Sequence, residues 1–206
     1  MRKTLLILAC MLLVGCAAGN RYNYREGIAS LPLKASSYSV LVLTVEDLRP
    51  YVLNGDKKPD FVGLQRGGFG NPFEVTTASG KPLTDDMAVL IASSLEKSGY
   101  KVVISEGKPE MSRVRQLAQE NNTDRIVWLK VRDWKSDIYM SIGLKFDLHL
   151  AVYDASGKLL GENTLSGNEA VGGGKIGAEK NSQFMTQELS KRIGYLFNGK
   201  SIRDAL

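Results

Sequence analysis

Apolar and polar positions alternate most regularly between Ser141 and Tyr153, where Ile142, Leu144, Phe146, Leu148, Leu150 and Val152 are separated by Gly143, Lys145, Asp147, His149 and Ala151. A period of two belongs to a strand with one buried and one wetter face. Asp154-Ala155-Ser156-Gly157 turns it into a partner strand from Lys158 to about Glu169, which predicts a long hairpin. Tyr38 to Val45 is almost continuously apolar and β-branched, the pattern of a strand buried on both faces, here the expected central strand of a sheet. From Thr84, a suitable N-cap followed by Asp85 and Asp86, the period becomes helical. Leu83, Met87, Leu90, Ile91 and Leu95 fall on one face, and Gly99 is a natural stop. A short strand over Tyr100 to Ile104 precedes a second helix opened by Pro109, with Met111, Val114, Leu117 and Ala118 as its stripe and Asn121-Asn122 at its end. Arg125 to Trp134 reads as a further strand. After Gly172-Gly173-Gly174, a last helix carries Met185, Leu189, Ile193 and Leu196. The order β-α-β-α-β-β-β-α predicts an α/β (α+β) fold, a single domain with a mixed sheet, the long hairpin and about three helices packed on it.

Two stretches show no sustained period. Gln65 to Pro82 holds Gly67, Gly68, Gly70, Pro72, Gly80 and Pro82, so a long loop is expected, with strand character only from Phe73 to Thr77 and a short strand before it at Phe61 to Leu64. Ala17 to about Ser37 is rich in small and polar residues and reads as a tether.

At the amino terminus, Arg2 and Lys3 precede an apolar run from Leu5 to Val14 and small residues around Cys16, the three regions of a secretory signal. The run falls short of the roughly 20 apolar residues that span a bilayer. Leu13-Val14-Gly15-Cys16 resembles the lipobox of bacterial lipoproteins, which implies cleavage before Cys16 and acylation of its sulfur and amine. Ile7-Leu8-Ala9-Cys10 fits the same pattern loosely, with too short an apolar region before it. An ordinary secretory signal with an incidental cysteine is the alternative. The expected division is 1–15 signal, 16–37 lipidated tether and 38–206 periplasmic α/β domain. Ala17 after Cys16, rather than Asp, resembles the sorting signal for the outer membrane, so the expected place is its periplasmic face.

Removal of the signal takes Cys10 away and acylation blocks Cys16, leaving no thiol for a disulfide, metal or redox centre. The formal charge of +5 falls to +3, with 25 basic against 22 acidic residues, once Arg2 and Lys3 leave. The excess is dispersed rather than gathered in a stripe, which argues against a nucleic-acid partner.

Candidate chemistry is sparse. Gly194-Tyr195-Leu196-Phe197-Asn198-Gly199-Lys200-Ser201 matches the phosphate-loop pattern by letter, but that loop needs a strand before it and a helix after it. Gly194 lies inside a helical period, Gly199 reads as a helix cap, and no helix of useful length fits after Ser201. His149 is the only histidine, so any Ser-His-Asp or Cys-His arrangement would have to use it; Asp147 lies two residues away on the same strand face, and an ordinary solvated face explains both. One histidine and no free cysteine argue against zinc. Glu46 and Asp47 are adjacent acids on a strand end and so point to opposite faces. Trp128 and Trp134 read as core. No cofactor is expected. The Gly67-Gly68-Phe69-Gly70 loop is the candidate partner-binding element, with Arg66, Phe69 and Phe73 the residue types that interface centres favour. A disordered insertion is the competing reading.

Through Leu95-Glu96-Lys97-Ser98-Gly99-Tyr100-Lys101-Val102, the long hairpin and the ending Ser201-Ile202-Arg203-Asp204-Ala205-Leu206, the chain resembles the YajG-type lipoproteins of Gram-negative envelopes. It departs from them in the Gly- and Pro-rich insertion before Thr84. The element order is also similar to periplasmic domains of curli-secretion and exopolysaccharide-secretion lipoproteins. The resemblance implies a membrane-tethered, non-enzymatic domain. With no convergent set of nucleophile, base and oxyanion donors to name, a binding or scaffolding module is expected, and confinement to one membrane makes another envelope protein or further copies of itself the expected partner. A subunit of a ring-forming secretion or export assembly is an alternative, and an envelope hydrolase resting on Asp147, His149 or Glu46 is another.

Overall fold

A computed structural model describes residues 20–33, 40–107, 109–123, 125–173 and 177–206. The expected signal, Cys16, Gly174 and the tether positions 17–19 and 34–37 lie outside the described residues. The elements in order are β1 (Arg21–Tyr22), a 3-10 turn (Tyr24–Glu26), β2 (Val40–Asp47), α1 (Pro50–Leu53), β3 (Phe61–Arg66), β4 (Pro72–Thr77), α2 (Leu83–Lys97), β5 (Lys101–Ile104), α3 (Met111–Glu120), β6 (Arg125–Ile138), β7 (Ser141–Asp154), β8 (Leu159–Gly173), α4 (Ala178–Phe197) and α5 (Lys200–Ala205). The expected single α/β domain with a mixed sheet is what forms, with five helices among the described residues rather than about three.

The sheet runs β1-β4-β3-β6-β2-β5, and β7 and β8 join it through β6. The central strand is therefore β6, not the apolar run expected to be central. β6 is 14 residues long. One edge of it pairs in parallel with β2 over Arg125 to Val131 and with β3 over Ser136 to Ile138, while the other pairs antiparallel with β7 over its full length. β2 stands between β6 and the short edge strand β5. Its Leu41 to Leu43 segment is apolar because both its faces are covered, whatever its place in the order. A bulge between Val131 and Asp133 lets β6 keep facing one core. Before it Val127, Leu129 and Val131 point inward; after it Trp134 and Ile138 do.

One face of the sheet packs with α2, α4 and α5 around Leu41, Leu43, Leu129, Leu150 and Val152. The other packs Val42, Ile126 and Trp128 against Val114 and Ala118 of α3. The stripe predicted for α2 is wholly buried, and each such side chain contributes about 1.5–3 kcal/mol. Thr84 is not its cap: the helix starts at Leu83, with Pro82 in the cap position. α3 likewise starts at Met111 after Glu110, so Pro109 lies before the helix rather than at its first position. Gly99 ends α2 as expected, in a left-handed conformation (φ 95°).

Residues 20–33 are not a tether. Tyr22 and Tyr24 are fully buried, β1 pairs in parallel with β4, and the Trp134 indole donates to the Tyr24 hydroxyl at 2.9 Å. Small and polar neighbours conceal this in the sequence, since two tyrosines at a spacing of two show no period. The folded domain thus begins about eighteen residues before the expected boundary at Tyr38.

The carboxyl end also differs. Gly199 is not a left-handed cap; its φ is −57° and it precedes α5, a helix the sequence reading did not foresee. α5 closes on β8, where a Cβ on Gly161 would stand 2.2 Å from the Ser201 carbonyl oxygen. Gly194 to Ser201 therefore joins helix to helix, and the phosphate-loop match has no strand before it.

Asp86, in the first turn of α2, is buried. Its Oδ1 accepts from Ser79 Oγ at 2.8 Å and lies 3.6 Å from Arg25. Burial raises its pKa, and the hydrogen bond and Arg25 only partly oppose it. A carboxyl whose folded pKa is raised holds its proton more tightly when folded. Its contribution to stability is full below the ordinary value of 3.8 and is lost as pH rises through the folded value. Asp86→Asn, which mimics the protonated form, is expected to melt at or above the parent temperature at neutral pH, with the difference closing in acid. An Asn variant that melts clearly lower at neutral pH would refute this.

Candidate functional site: the paired hairpin tips

Gln65 to Pro82, expected as a loop, is largely a β-hairpin. β3 and β4 pair antiparallel, Gln65 with Phe73 and Arg66 with Pro72, leaving Gly67 to Asn71 as the tip. The tip is closed by Gly67 N–H to Asn71 O at 2.9 Å and Gly70 N–H to Gly67 O at 2.8 Å. Gly67 lets the Phe73 ring lie across the turn, 3.0 Å from where a Cβ would stand. Pro72 opens an edge segment, where its missing N–H is tolerated. The disordered-insertion reading is therefore set aside for these residues.

β3 lies parallel to β6 with Gly63 opposite Ser136 and Gln65 opposite Ile138, so this tip stands beside the Tyr139–Met140 turn that joins β6 to β7. Arg66 clamps the two together: its Nε and Nη2 donate to the two carboxylate oxygens of Asp137 at 2.9 and 2.7 Å. At this end Phe69 is 100% exposed, Met140 83%, Tyr139 58% and Phe73 37%. Of the three residues singled out by sequence, Phe69 and Phe73 present apolar surface, while Arg66 holds the tips rather than reaching outward. Tyr139 and Met140 were missed. Their available signal was an apolar pair filling a two-residue turn, where polar residues are the rule.

The tips are poor in negative charge. No carboxylate occurs from Arg66 to Phe73 or from Ile138 to Gly143, and Asp137 is paired. The far end of the β7–β8 hairpin is its opposite: Asp154 accepts from the backbone N–H of both Ser156 and Lys158 at 2.9 Å, a polar turn satisfied within itself.

The other candidates are occupied elsewhere. His149 Nδ1 meets Thr164 Oγ1 at 2.9 Å and Nε2 lies 3.5 Å from Glu162. Burial, with Arg132 adding to it, lowers its pKa, so the ring is neutral at neutral pH. Glu46 accepts from the Trp128 indole at 3.0 Å, on the α3 side, while Asp47 binds buried Arg49 on the other. Trp128 and Trp134 are both core. A second open surface, about 690 Å³, lies between β8 and α4, where the Arg192 guanidinium sits 4.8 Å over the Phe146 ring and pairs with Glu169 and Glu188. Among the described residues no three His, Cys, Asp or Glu side chains gather to hold a metal, and no helix is long and apolar enough to cross a membrane.

No family model matches the sequence, and no curated protein matches it. Solved structures do. A DUF330 protein of Xanthomonas campestris superimposes with a TM-score of 0.50 at 14% identity, over 87% of this chain and 93% of that one. A PelC dodecamer of Paraburkholderia phytofirmans gives 0.48 at 14% identity over 82% and 94%, and the lipoprotein GNA1162 of Neisseria meningitidis gives 0.41 at 14% over 73% and 96%. The first of these likenesses shows a shared fold. The YajG-type resemblance has no counterpart among them at the level of sequence.

Proposed function

We propose that the protein is an envelope lipoprotein, held on the periplasmic face of the outer membrane by acyl chains on Cys16, that acts as a non-enzymatic binding module through the paired hairpin tips. The observation that carries this reading is the wholly exposed Phe69 with Met140, Tyr139 and Phe73 beside it, on two turns that an Arg66–Asp137 ion pair locks together. Each large apolar side chain left in water forgoes about 1.5–3 kcal/mol of burial. A contiguous group of them on ordered backbone marks an interaction surface rather than a defect. The Leu13 to Cys16 pattern supports the anchor.

A second reading, self-assembly, is favoured by β8. Among the described residues its 15 residues pair with one strand, β7, and contain neither Lys nor Pro to discourage a further strand, while α5 covers only the end near Gly161 and Glu162. One experiment addresses both. A photo-crosslinking side chain is placed in intact cells at Phe69, at Met140, at Asn168 of β8, or at Ser156 in the far turn. The tip reading expects adducts at Phe69 and Met140 and none at Ser156; equal yields at all positions would refute it. An adduct of twice the chain mass from Asn168 would establish the self-assembly reading, and its absence would remove it.

A further inference from the structure

We infer that the hairpin tips dock on lipid, so that the surface of the membrane carrying the acyl anchor is itself the partner of Phe69, Tyr139 and Met140; this rests on the reading of the tips as a contact surface and of Cys16 as the anchor. β1 runs parallel to β4, Arg21 opposite Thr76 and Tyr22 opposite Thr77, and Thr76 N–H donates to Asn20 O at 3.2 Å. The amino-terminal end of β1 therefore points along β4 toward Pro72 and the tip. Thr76 and Pro72 are four residues apart, roughly 13 Å of strand. Five residues separate Arg21 from Cys16, and they reach at most ~18 Å.

At full extension that length reaches past Pro72 toward the tips. The opposite end of the sheet, where β6 begins at Arg125 and β7 ends at Asp154, lies roughly 30 Å the other way and is out of reach. An acylated Cys16 at the bilayer surface thus turns the Phe69, Tyr139 and Met140 end toward lipid and the polar Asp154 to Lys158 turn away from it. The side chains suit that position. Phe69 and Met140 are apolar, and Tyr139 is an aromatic with a polar tip, the kind of ring that settles at a membrane interface. No unpaired carboxylate stands among them to be repelled by anionic headgroups. Covalent tethering raises the effective concentration of the tips at the bilayer, so side chains too weak to bind alone still set the orientation of the domain.

The test uses the acylated lipoprotein in vesicles of phosphatidylethanolamine and phosphatidylglycerol, part of the lipid carrying a nitroxide near the headgroup. Because Cys10 leaves with the signal and Cys16 is acylated, an added cysteine is the sole thiol. Phe69→Cys, Met140→Cys and Ser156→Cys are each labelled with a small fluorophore; all three positions lie in exposed turns, and near-UV circular dichroism checks the fold. Vesicle flotation comes first: protein that does not float overturns the anchor and this inference together. In floating protein, severalfold quenching at 69 and 140 with none at 156 is expected. Equal quenching at all three positions, or none at the tips, overturns lipid docking while leaving the anchor standing. A protein adduct captured at Phe69 in cells beside unquenched labels would keep the tips as a contact surface and give them a protein partner instead.

Discussion

Trp134→Ala is expected to destabilise the domain by about 3–5 kcal/mol, the range for deleting a buried tryptophan, and to lower the melting temperature by roughly 6–20 °C. The indole is fully buried where three elements meet. It packs edge-on against Tyr24 at 6.1 Å and at a tilt against Phe146 at 6.4 Å, and its N–H donates to the Tyr24 hydroxyl. Because Tyr24 belongs to residues 20–33, loss of the indole also loosens that segment from the sheet. Trypsin should then cut the variant at Arg21 and Arg25 well before it cuts the parent. Trp134→Phe keeps most of the volume and removes only the donor, so a smaller loss of about 1–3 kcal/mol is expected. Denaturant midpoints measure both. A Trp134→Ala protein within about 1 kcal/mol of the parent would mean the indole is not where the core closes.

Cys16→Ala is expected to move the protein from the membrane fraction to the soluble fraction almost completely. One acyl chain gives only marginal, reversible membrane binding, two or more hold stably, and an alanine accepts none. The few apolar side chains of the tips, without a tether to hold them near the bilayer, supply too little to replace it. Fractionation with mass spectrometry of the amino-terminal peptide, with and without globomycin, checks this. An unmodified Cys16 in the parent, or a Cys16→Ala protein that still pellets with membranes, would refute the anchor.

The two predictions separate what is local in this chain from what is not. The alternation from Ile142 to Val152 and the stripe from Leu83 to Leu95 were readable because each is a single-element property: side chains two apart on a strand, or three and four apart on a helix, share a face whatever lies beyond. Glu46 and Asp47 could be assigned to opposite faces for the same reason, and Glu46 indeed meets Trp128 while Asp47 meets Arg49. Element ends were read less well. Thr84 and Pro109 are good start residues by type, yet packing set the starts at Leu83 and Met111.

The α/β class, the long hairpin, the faces of α2 and β7 and the core role of both tryptophans are legible along the chain, because periodicity and side-chain type act over a few residues. The place of β6 at the centre of the sheet, the burial of Tyr22 and Tyr24 and the reach of Arg66 to Asp137, 71 residues away, follow from long-range packing alone. It alone set Phe69 beside Tyr139 and Met140. That juxtaposition comes from the parallel pairing of Gly63 to Gln65 with Ser136 to Ile138, and strand pairing is a choice of partner and register among distant segments. Backbone hydrogen bonds are the same for every residue type but proline, so no local pattern records which strands will meet. What selects them is the burial each arrangement achieves over the whole sheet.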